Sequence, residues 1–251
     1  MTWPGRHYSS SDIMETKDIL AALYEQGLIK TWHRDRPEGW TLVSGLWSPF
    51  YINLRALPSC PRLFMAVGER LGEMILERCD VDSVMGIAMA GIPIASAVAV
   101  QYGIPMLYTR KLQGVKSLEV LREAAVQYGQ HSLVEGAMQD GDRVVAIDDL
   151  VTRFDSKLIA GEQLAMEADR RGVDVSCGDV AVLVDREQGA ADIAAQHGIN
   201  LHALIPFQSR GIDWLRDAFT DIEYDVISDY LHDSDKYQDD QRRRDIIVSF
   251  K

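Results

Sequence analysis

The chain has 251 residues, of which 47% are hydrophobic and 25% are charged, so it can bury a sizeable core. This composition excludes disordered and collagen-like proteins. The 26 basic and 38 acidic residues give a net charge of −12. Because such a surface repels phosphate backbones, we expect no nucleic-acid partner, and an anionic ligand needs locally concentrated positive groups.

The cysteines and the N-terminus indicate the compartment. Cys60, Cys79 and Cys177 are widely spaced and form no CxxC pair, which is typical of reduced thiols in a cytosolic protein. Residues 1–12 are polar, and no apolar run approaches the roughly 20 residues that span a bilayer. We therefore expect a cytoplasmic protein with no membrane partner, and the six histidines predict no metal cluster.

The apolar spacing changes along the chain. It predicts an amphipathic helix over 13–28, a hairpin of two short β-prone runs within 40–54, and a second helix over 61–78. Short apolar runs then alternate with helical stretches. The predicted strands are 83–87, 106–108, 144–147, 180–184 and 201–205, and the predicted helices between them are 92–102, 156–171 and 189–197. This alternation predicts an α/β fold with a parallel sheet covered on both faces, whose ligands lie at the carboxyl ends of the strands.

The same pattern divides the chain into three parts. We predict an N-terminal helical extension over 1–40 and one main domain over 41–223. An acidic C-terminal helix and tail follow over 224–251, and the charge run there favours a solvated helix.

Two adjacent acids, Asp148 and Asp149, end the apolar run VVAIDD at 144–149. Paired carboxylates at a strand end can accept hydrogen bonds from vicinal ribose hydroxyls or hold Mg²⁺ through water. The alternative is one aspartate that caps a helix and one that is solvated.

This stretch resembles the phosphoribosyl-pyrophosphate motif of the type I phosphoribosyltransferases. Further segments narrow the resemblance to orotate phosphoribosyltransferase, above all the form found in bifunctional uridine monophosphate synthases. Those segments are SGLWSPFYINLR at 44–55, PRL at 61–63, GIPIA at 91–95, RK at 110–111, LVEG at 133–136, DREQG at 185–189 and HGI at 197–199. They follow the family's order from about residue 41 to 204. The resemblance implies the type I phosphoribosyltransferase fold, with an N-terminal helix and a small hairpin hood beside the sheet.

The resemblance also implies roles for individual residues. Asp148 and Asp149 would contact the ribose hydroxyls of phosphoribosyl pyrophosphate. The remaining implied contacts are Phe50, Tyr51 and Arg186 with the orotate, Ala90, Gly91, Arg110 and Lys111 with the pyrophosphate, and Thr152, Arg153 and Ser156 in the 5′-phosphate loop. The fork of an Arg suits a carboxylate because it pairs in a bidentate way. Without the resemblance, Arg186 could equally form a surface pair with Asp185 or Glu187.

The phosphate loop departs from the family's pattern. Phe154 stands where the family has a glycine that permits unusual backbone angles and close approach of the phosphate. Asp155 adds a negative charge beside that phosphate. Arg153 and Lys157 are the positive residues that could compensate for this charge.

Two further departures affect basic residues. Val43 replaces a lysine near the pyrophosphate and orotate, and Val126 replaces the lysine of the mobile catalytic loop. That loop carries an insert over 112–128 with a helical apolar pattern. Lys116, our candidate for a catalytic role, or Arg122 could supply the missing charge, whereas the alternative is that the insert is a packing or oligomer element.

The resemblance implies transfer of the phosphoribosyl group to orotate, which gives orotidine 5′-monophosphate and pyrophosphate in pyrimidine biosynthesis. Mg²⁺ would bind with the donor, the partners would be small-molecule substrates, and the protein would be a homodimer. The alternatives are a phosphoribosyltransferase fold with impaired catalysis that senses a ligand or acts as a scaffold, and a transferase with a different acceptor.

Overall fold

A computed structural model describes residues 14–42, 45–128, 131–239 and 243. The first described elements are helix α1 (Thr16–Glu25), which confirms the predicted helix, and strand β1 (Ile29–Thr31). Strands β2 (Trp40–Thr41) and β3 (Trp47–Ser48) pair as the predicted hairpin. The prediction missed one pairing, because β4 (Phe50–Ile52) leaves the hairpin and pairs antiparallel with β1. A 3₁₀ helix (Leu54–Ser59) follows.

The central sheet has six strands. They are β5 (Ser83–Gly86), β6 (Met106–Thr109), β7 (Val134–Glu135), β8 (Asp142–Val151), β9 (Val175–Asp185) and β10 (Asn200–Pro206). Their order is β10-β9-β8-β5-β6-β7, with the first five parallel and β7 antiparallel to β6. The predicted parallel sheet is confirmed, and it brings the carboxyl ends of β5, β6, β8 and β9 to one edge.

Helices cover both faces of this sheet. They are α2 (Pro61–Arg78), α3 (Gly91–Tyr102), α4 (Leu118–Tyr128), α5 (Asp155–Arg171), α6 (Ala190–Gln196), α7 (Ile212–Trp214) and α8 (Asp221–His232). Helices α1, α2 and α3 share one core cluster with buried strand residues such as Ile147 and Leu183. Helices α5 and α6 pack on the opposite face, against Met85 and Val182. Within the described residues, no helix has both the length and the apolar character needed to cross a membrane.

The insert over 112–128 forms helix α4, which packs beside α5. Its Leu121 is fully buried with Leu112 and Leu133. Arg122 Nε lies 2.9 Å from Glu162 Oε1 on α5. These contacts favour the packing alternative for the insert.

The C-terminal segment does not match its prediction. Tyr230 on α8 and Tyr237 in the 3₁₀ helix Ser234–Gln238 are both buried. The ring of Tyr237 stacks on Trp47 with centroids 6.2 Å apart, and Gln238 Oε1 accepts a hydrogen bond of 2.8 Å from the Trp47 N–H. The prediction of a solvated helix is therefore wrong for 224–238, because aromatic side chains among the charges pack against the hairpin. The division of the chain at residues 40 and 223 stays a prediction.

Candidate active site

The two adjacent acids lie near the carboxyl end of β8, in the middle of the sheet. Asp148 is buried, and its Oδ2 lies 2.8 Å from Nζ of Lys157. The same ammonium donates to the carbonyl oxygen of Leu150 at 2.7 Å. Asp149 is half-buried, its N–H donates to Asp148 Oδ1 at 2.9 Å, and its own Oδ1 accepts from the Leu150 N–H at 2.8 Å. Neither acid caps a helix, so the alternative of one helix-capping and one solvated aspartate is wrong.

The two acids differ in their electrostatic surroundings. Burial, and after it the neighbouring Asp148 carboxylate, together raise the pKa of Asp149 to about 7. Lys157 opposes this shift, but it contacts Asp148 directly. Asp149 is therefore the acid that takes up a proton near neutral pH.

The turn after β5 packs directly on the acids. A Cβ at Gly91 would lie 2.2 Å from the Ile147 carbonyl oxygen and 3.0 Å from the Asp148 Cα, so only glycine fits there. The Gly91 N–H donates to Ile87 O at 3.0 Å, and the Ala88 N–H donates to Thr109 Oγ1 at 2.9 Å. The Gly91 N–H completes the turn, and the contact of Ala90 and Gly91 with the pyrophosphate stays a prediction. Ala90 is half-buried beside it.

A small cavity of about 60 Å³ lies between this turn, the end of β6 and the start of α5. Its lining includes Ala88, Arg110, Lys111 and Ser156, so it joins three of the predicted binding residues. Arg110 Nη1 also lies 3.5 Å from Glu135 Oε1. Lys116 does not line the cavity, and its exposed ammonium has no hydrogen-bond or ion-pair partner among the described residues.

The next strand end, after β9, carries Arg186. This side chain is only 6% exposed, and its guanidinium carbon lies 4.7 Å from the centre of the Phe50 ring. In the part of the chain that the structure describes, its Nε and Nη2 have no hydrogen-bond partner. The surface pair considered for Arg186 is therefore wrong. A buried guanidinium with two unused donors is suited to a carboxylate ligand.

Aromatic residues from distant segments build the walls around Arg186. The Phe50 ring is buried and lies 5.4 Å from Phe207 and 5.8 Å from Tyr230, measured between centroids. Tyr51 is half-buried and stacks on Trp40 at 6.1 Å. The sequence interpretation missed Phe207 and Tyr230, since no short motif connects them to this pocket.

No family model matches the chain. It is 35% identical to the orotate phosphoribosyltransferase of Pyrobaculum islandicum, over 76% of this chain and 89% of that protein. The chain belongs to the orotate phosphoribosyltransferase family. It is also 36% identical to the uridine 5′-monophosphate synthase of Bos taurus, over 65% of this chain but only 30% of that protein.

Solved structures share the fold of this chain. The UMP synthase of Leishmania donovani is 26% identical with a TM-score of 0.69, covering 86% of this chain and 42% of that one. The orotate phosphoribosyltransferase of Aeropyrum pernix is 24% identical with a TM-score of 0.57, covering 80% of this chain and 98% of that one, and it shows the shared fold. The predicted fold and family are confirmed.

The phosphate loop of this family member differs from our prediction. Phe154 has φ −85° and ψ 0°, which any residue adopts, and its side chain is fully buried in the core with Met85 and Val151. The expectation that Phe154 obstructs the phosphate is therefore wrong. Asp155 and Ser156 are exposed in the first turn of α5. Lys157 is turned inward to Asp148, so it does not compensate for the Asp155 charge.

The other loop residues are placed as follows. Thr152 is half-buried and Arg153 is exposed, both just before α5. Arg122 does not supply the missing charge of the catalytic loop, because it pairs with Glu162. Val43 lies outside the described residues, as does the side chain of Val126.

Proposed function

We propose that this protein transfers the 5-phosphoribosyl group of phosphoribosyl pyrophosphate to N1 of orotate and releases pyrophosphate. The observation that carries this proposal is the Arg186 guanidinium, buried with two unused donors at the strand end beside the Asp148–Asp149 pair. A planar base with a carboxylate satisfies those donors, and the acids provide acceptors for ribose hydroxyls. Membership of the orotate phosphoribosyltransferase family supports the same pairing of substrates.

Catalysis would depend on positioning of the two substrates and on electrostatic stabilisation of the transition state. Arg186 holds the orotate carboxylate through two parallel N–H donors, and its guanidinium packs over the Phe50 ring. Asp148, held in place by its contact with Lys157, accepts a hydrogen bond from a ribose hydroxyl. The bond from the ribose carbon to pyrophosphate breaks as the bond to N1 of orotate forms, and the N1 proton is released to solvent. The positive charge that develops on the ribose lies near the acids.

The pyrophosphate would lie in the cavity beside Arg110 and Lys111. The two basic side chains stabilise the charge that the departing group carries. The 5′-phosphate would be held by N–H groups at the start of α5, which have no partner within the helix, and by the hydroxyls of Thr152 and Ser156. Arg153 lies beside this turn as the available cation.

We propose that Mg²⁺ accompanies the donor. The carboxylates of Asp148 and Asp149 are hard oxygen ligands and fit this ion through water, whereas the Lys157 contact leaves no all-protein cage for it. When bound, the ion would neutralise charge on the pyrophosphate.

The test is steady-state turnover of orotate with phosphoribosyl pyrophosphate and Mg²⁺, comparing Arg186→Lys with Arg36→Lys, an exposed arginine away from the site. Replacing a bidentate fork by a single ammonium costs about 2–3 kcal/mol, so KM for orotate should rise roughly 30- to 150-fold. KM for the donor should stay nearly unchanged, and Arg36→Lys should behave as the parent. Absence of orotate turnover in the parent protein, together with binding of the donor, would instead favour the ligand-sensing alternative.

We further propose that the protein is a cytoplasmic homodimer acting on small molecules. Its three cysteines are free thiols. Met65 and Leu76 on α2 and Val100 on α3 are large exposed apolar residues, and they support a second copy as the covering partner. Light scattering should give twice the mass of the chain, and a monomeric mass at tens of micromolar would contradict the dimer.

A further inference from the structure

Three potential metal ligands meet on the side of the sheet remote from the proposed active site. Cys79 follows the last residue of α2, Asp179 lies early in β9, and His202 lies on β10. One ligand atom of each lies within 4.8 Å of the other two. Their positions are so far apart in sequence that spacing alone could not have predicted the cluster.

The cluster is already organised by hydrogen bonds. His202 Nε2 lies 2.7 Å from Asp179 Oδ1, and Asn200 Nδ2 donates to the same oxygen at 3.1 Å. All three ligand residues are half-buried, with the Asp179 side chain 22% exposed and the His202 side chain 15% exposed. The site is thus connected to solvent, which leaves room for a water as a fourth ligand.

We propose that Cys79, Asp179 and His202 bind one zinc ion. A thiolate, an imidazole and a carboxylate form a ligand set that Zn²⁺ accepts and that Mg²⁺, which requires oxygen ligands, does not. In a tetrahedral zinc site the ligand atoms lie about 3.3–3.6 Å apart, so small side-chain rotations convert the observed cluster into such a site. The thiol proton leaves to solvent when the sulfur binds the ion.

The position of the cluster indicates a structural role. Asp179 precedes Asp185 by six residues of one strand, a separation of roughly 20 Å from the substrate side. The ion would join the end of α2 to β9 and β10, and its occupancy would leave the Arg186 pocket unchanged. The inference is therefore independent of the proposed transferase reaction.

The experiment is a zinc titration of the full chain after treatment with a chelator, using a competing chromophoric indicator. We expect one Zn²⁺ per chain with a dissociation constant below about 10 µM. Cys79→Ser and His202→Gln should each weaken binding by roughly ten-fold or more. The matched controls are Cys60→Ser, at the opposite end of the same helix, and His197→Gln, and both should bind as the parent.

A second measurement identifies the sulfur ligand without relying on a variant. Co²⁺ in place of zinc should give thiolate-to-cobalt charge-transfer absorption in the parent protein and in Cys60→Ser. If the parent takes up no zinc at about 100 µM, or if both ligand variants keep full affinity, the site does not exist. Zinc should also raise Tm of the parent without changing its turnover rate with Mg²⁺, so the outcome does not depend on whether the transferase reaction is found.

Discussion

The substitution Asp155→Asn should strengthen binding of phosphoribosyl pyrophosphate. Asp155 is exposed in the first turn of α5, where the donor's 5′-phosphate is proposed to bind. Lys157 contacts Asp148 instead, which leaves Arg153 as the nearby cation in this loop. Two unit charges ~4 Å apart repel by about 1 kcal/mol in water and about 4 kcal/mol at an effective dielectric of 20. Because Asp155 is exposed, the lower figure applies, so Kd for the donor should fall roughly five-fold.

Isothermal titration with the donor and Mg²⁺ measures this effect, and Asp18→Asn provides a matched control. Asp18 is also an exposed acid in the first turn of a helix, and its substitution changes the net charge equally, but α1 packs on the opposite face of the sheet. The effect of Asp155→Asn should also diminish as salt is added. Unchanged or weaker donor binding by a folded Asp155→Asn protein would refute the reasoning and show that this loop is adapted to a different ligand.

Phe154 provides the contrast within the same loop. Its ring is fully buried, so Phe154→Ala should lower the free energy of unfolding by about 3–5 kcal/mol. A variant that changes Phe154 and Asp155 together therefore confounds stability with affinity. Denaturant unfolding should show that Asp155→Asn is nearly as stable as the parent, whereas an equally small effect of Phe154→Ala would mean that the ring lies outside the core.

Two further predictions concern carboxyl groups with shifted pKa values. The pKa of Asp149 is raised to about 7 from 3.8. Between pH 4 and pH 7 the folded state therefore holds a proton that the unfolded state has lost. Because of this difference, Asp149 makes the protein less stable as pH rises from 4 to 7. Asp149→Asn should therefore gain stability relative to the parent between pH 5 and pH 8 in urea unfolding, and a constant difference would contradict the shift. Glu167 is fully buried and accepts from Arg170 and Arg171, which lower its pKa despite burial, so Glu167→Gln should cost about 3 kcal/mol at pH 7. That loss of stability should shrink as pH falls below the pKa of the unfolded Glu. The control Glu162→Gln, on the same helix, should cost under about 1 kcal/mol. Equal losses for the two variants would show that the buried network around Glu167 contributes nothing.

The strand ends that carry the candidate site were predictable because buried parallel strands are read directly from apolar runs. The runs ending at Asp148 and Asp185 identify β8 and β9, and the parallel topology then places both ends at one edge. The full lengths of these strands were not predictable. The first residues of β9 alternate between half-buried and exposed positions, so 175–179 lacks the continuous apolar pattern that marks the buried part.

Side-chain direction was the least predictable property of the site. Motif position identified Phe154 as a glycine replacement, but its orientation depends on the backbone angles that turn the ring toward Met85. Likewise, a basic residue near a phosphate loop suggests a phosphate contact, whereas Lys157 reaches Asp148. These side-chain orientations depend on the space left in the packed core, and no local sequence pattern encodes that space.

The inward orientation of Lys157 explains how an acidic chain can retain its acid pair. Two carboxylates at a buried strand end repel each other, and a protein of net charge −12 provides little general compensation. A buried ammonium 2.8 Å from Asp148 supplies that compensation locally, and Asp149 reduces the remaining repulsion by taking up a proton near neutral pH. The cost is that this lysine no longer faces the phosphate loop, so the Asp155 charge and the acid pair compete for the same few cations. We therefore expect the distribution of positive charge at this edge of the sheet to limit affinity for the donor, whereas the backbone at Phe154 has ordinary geometry.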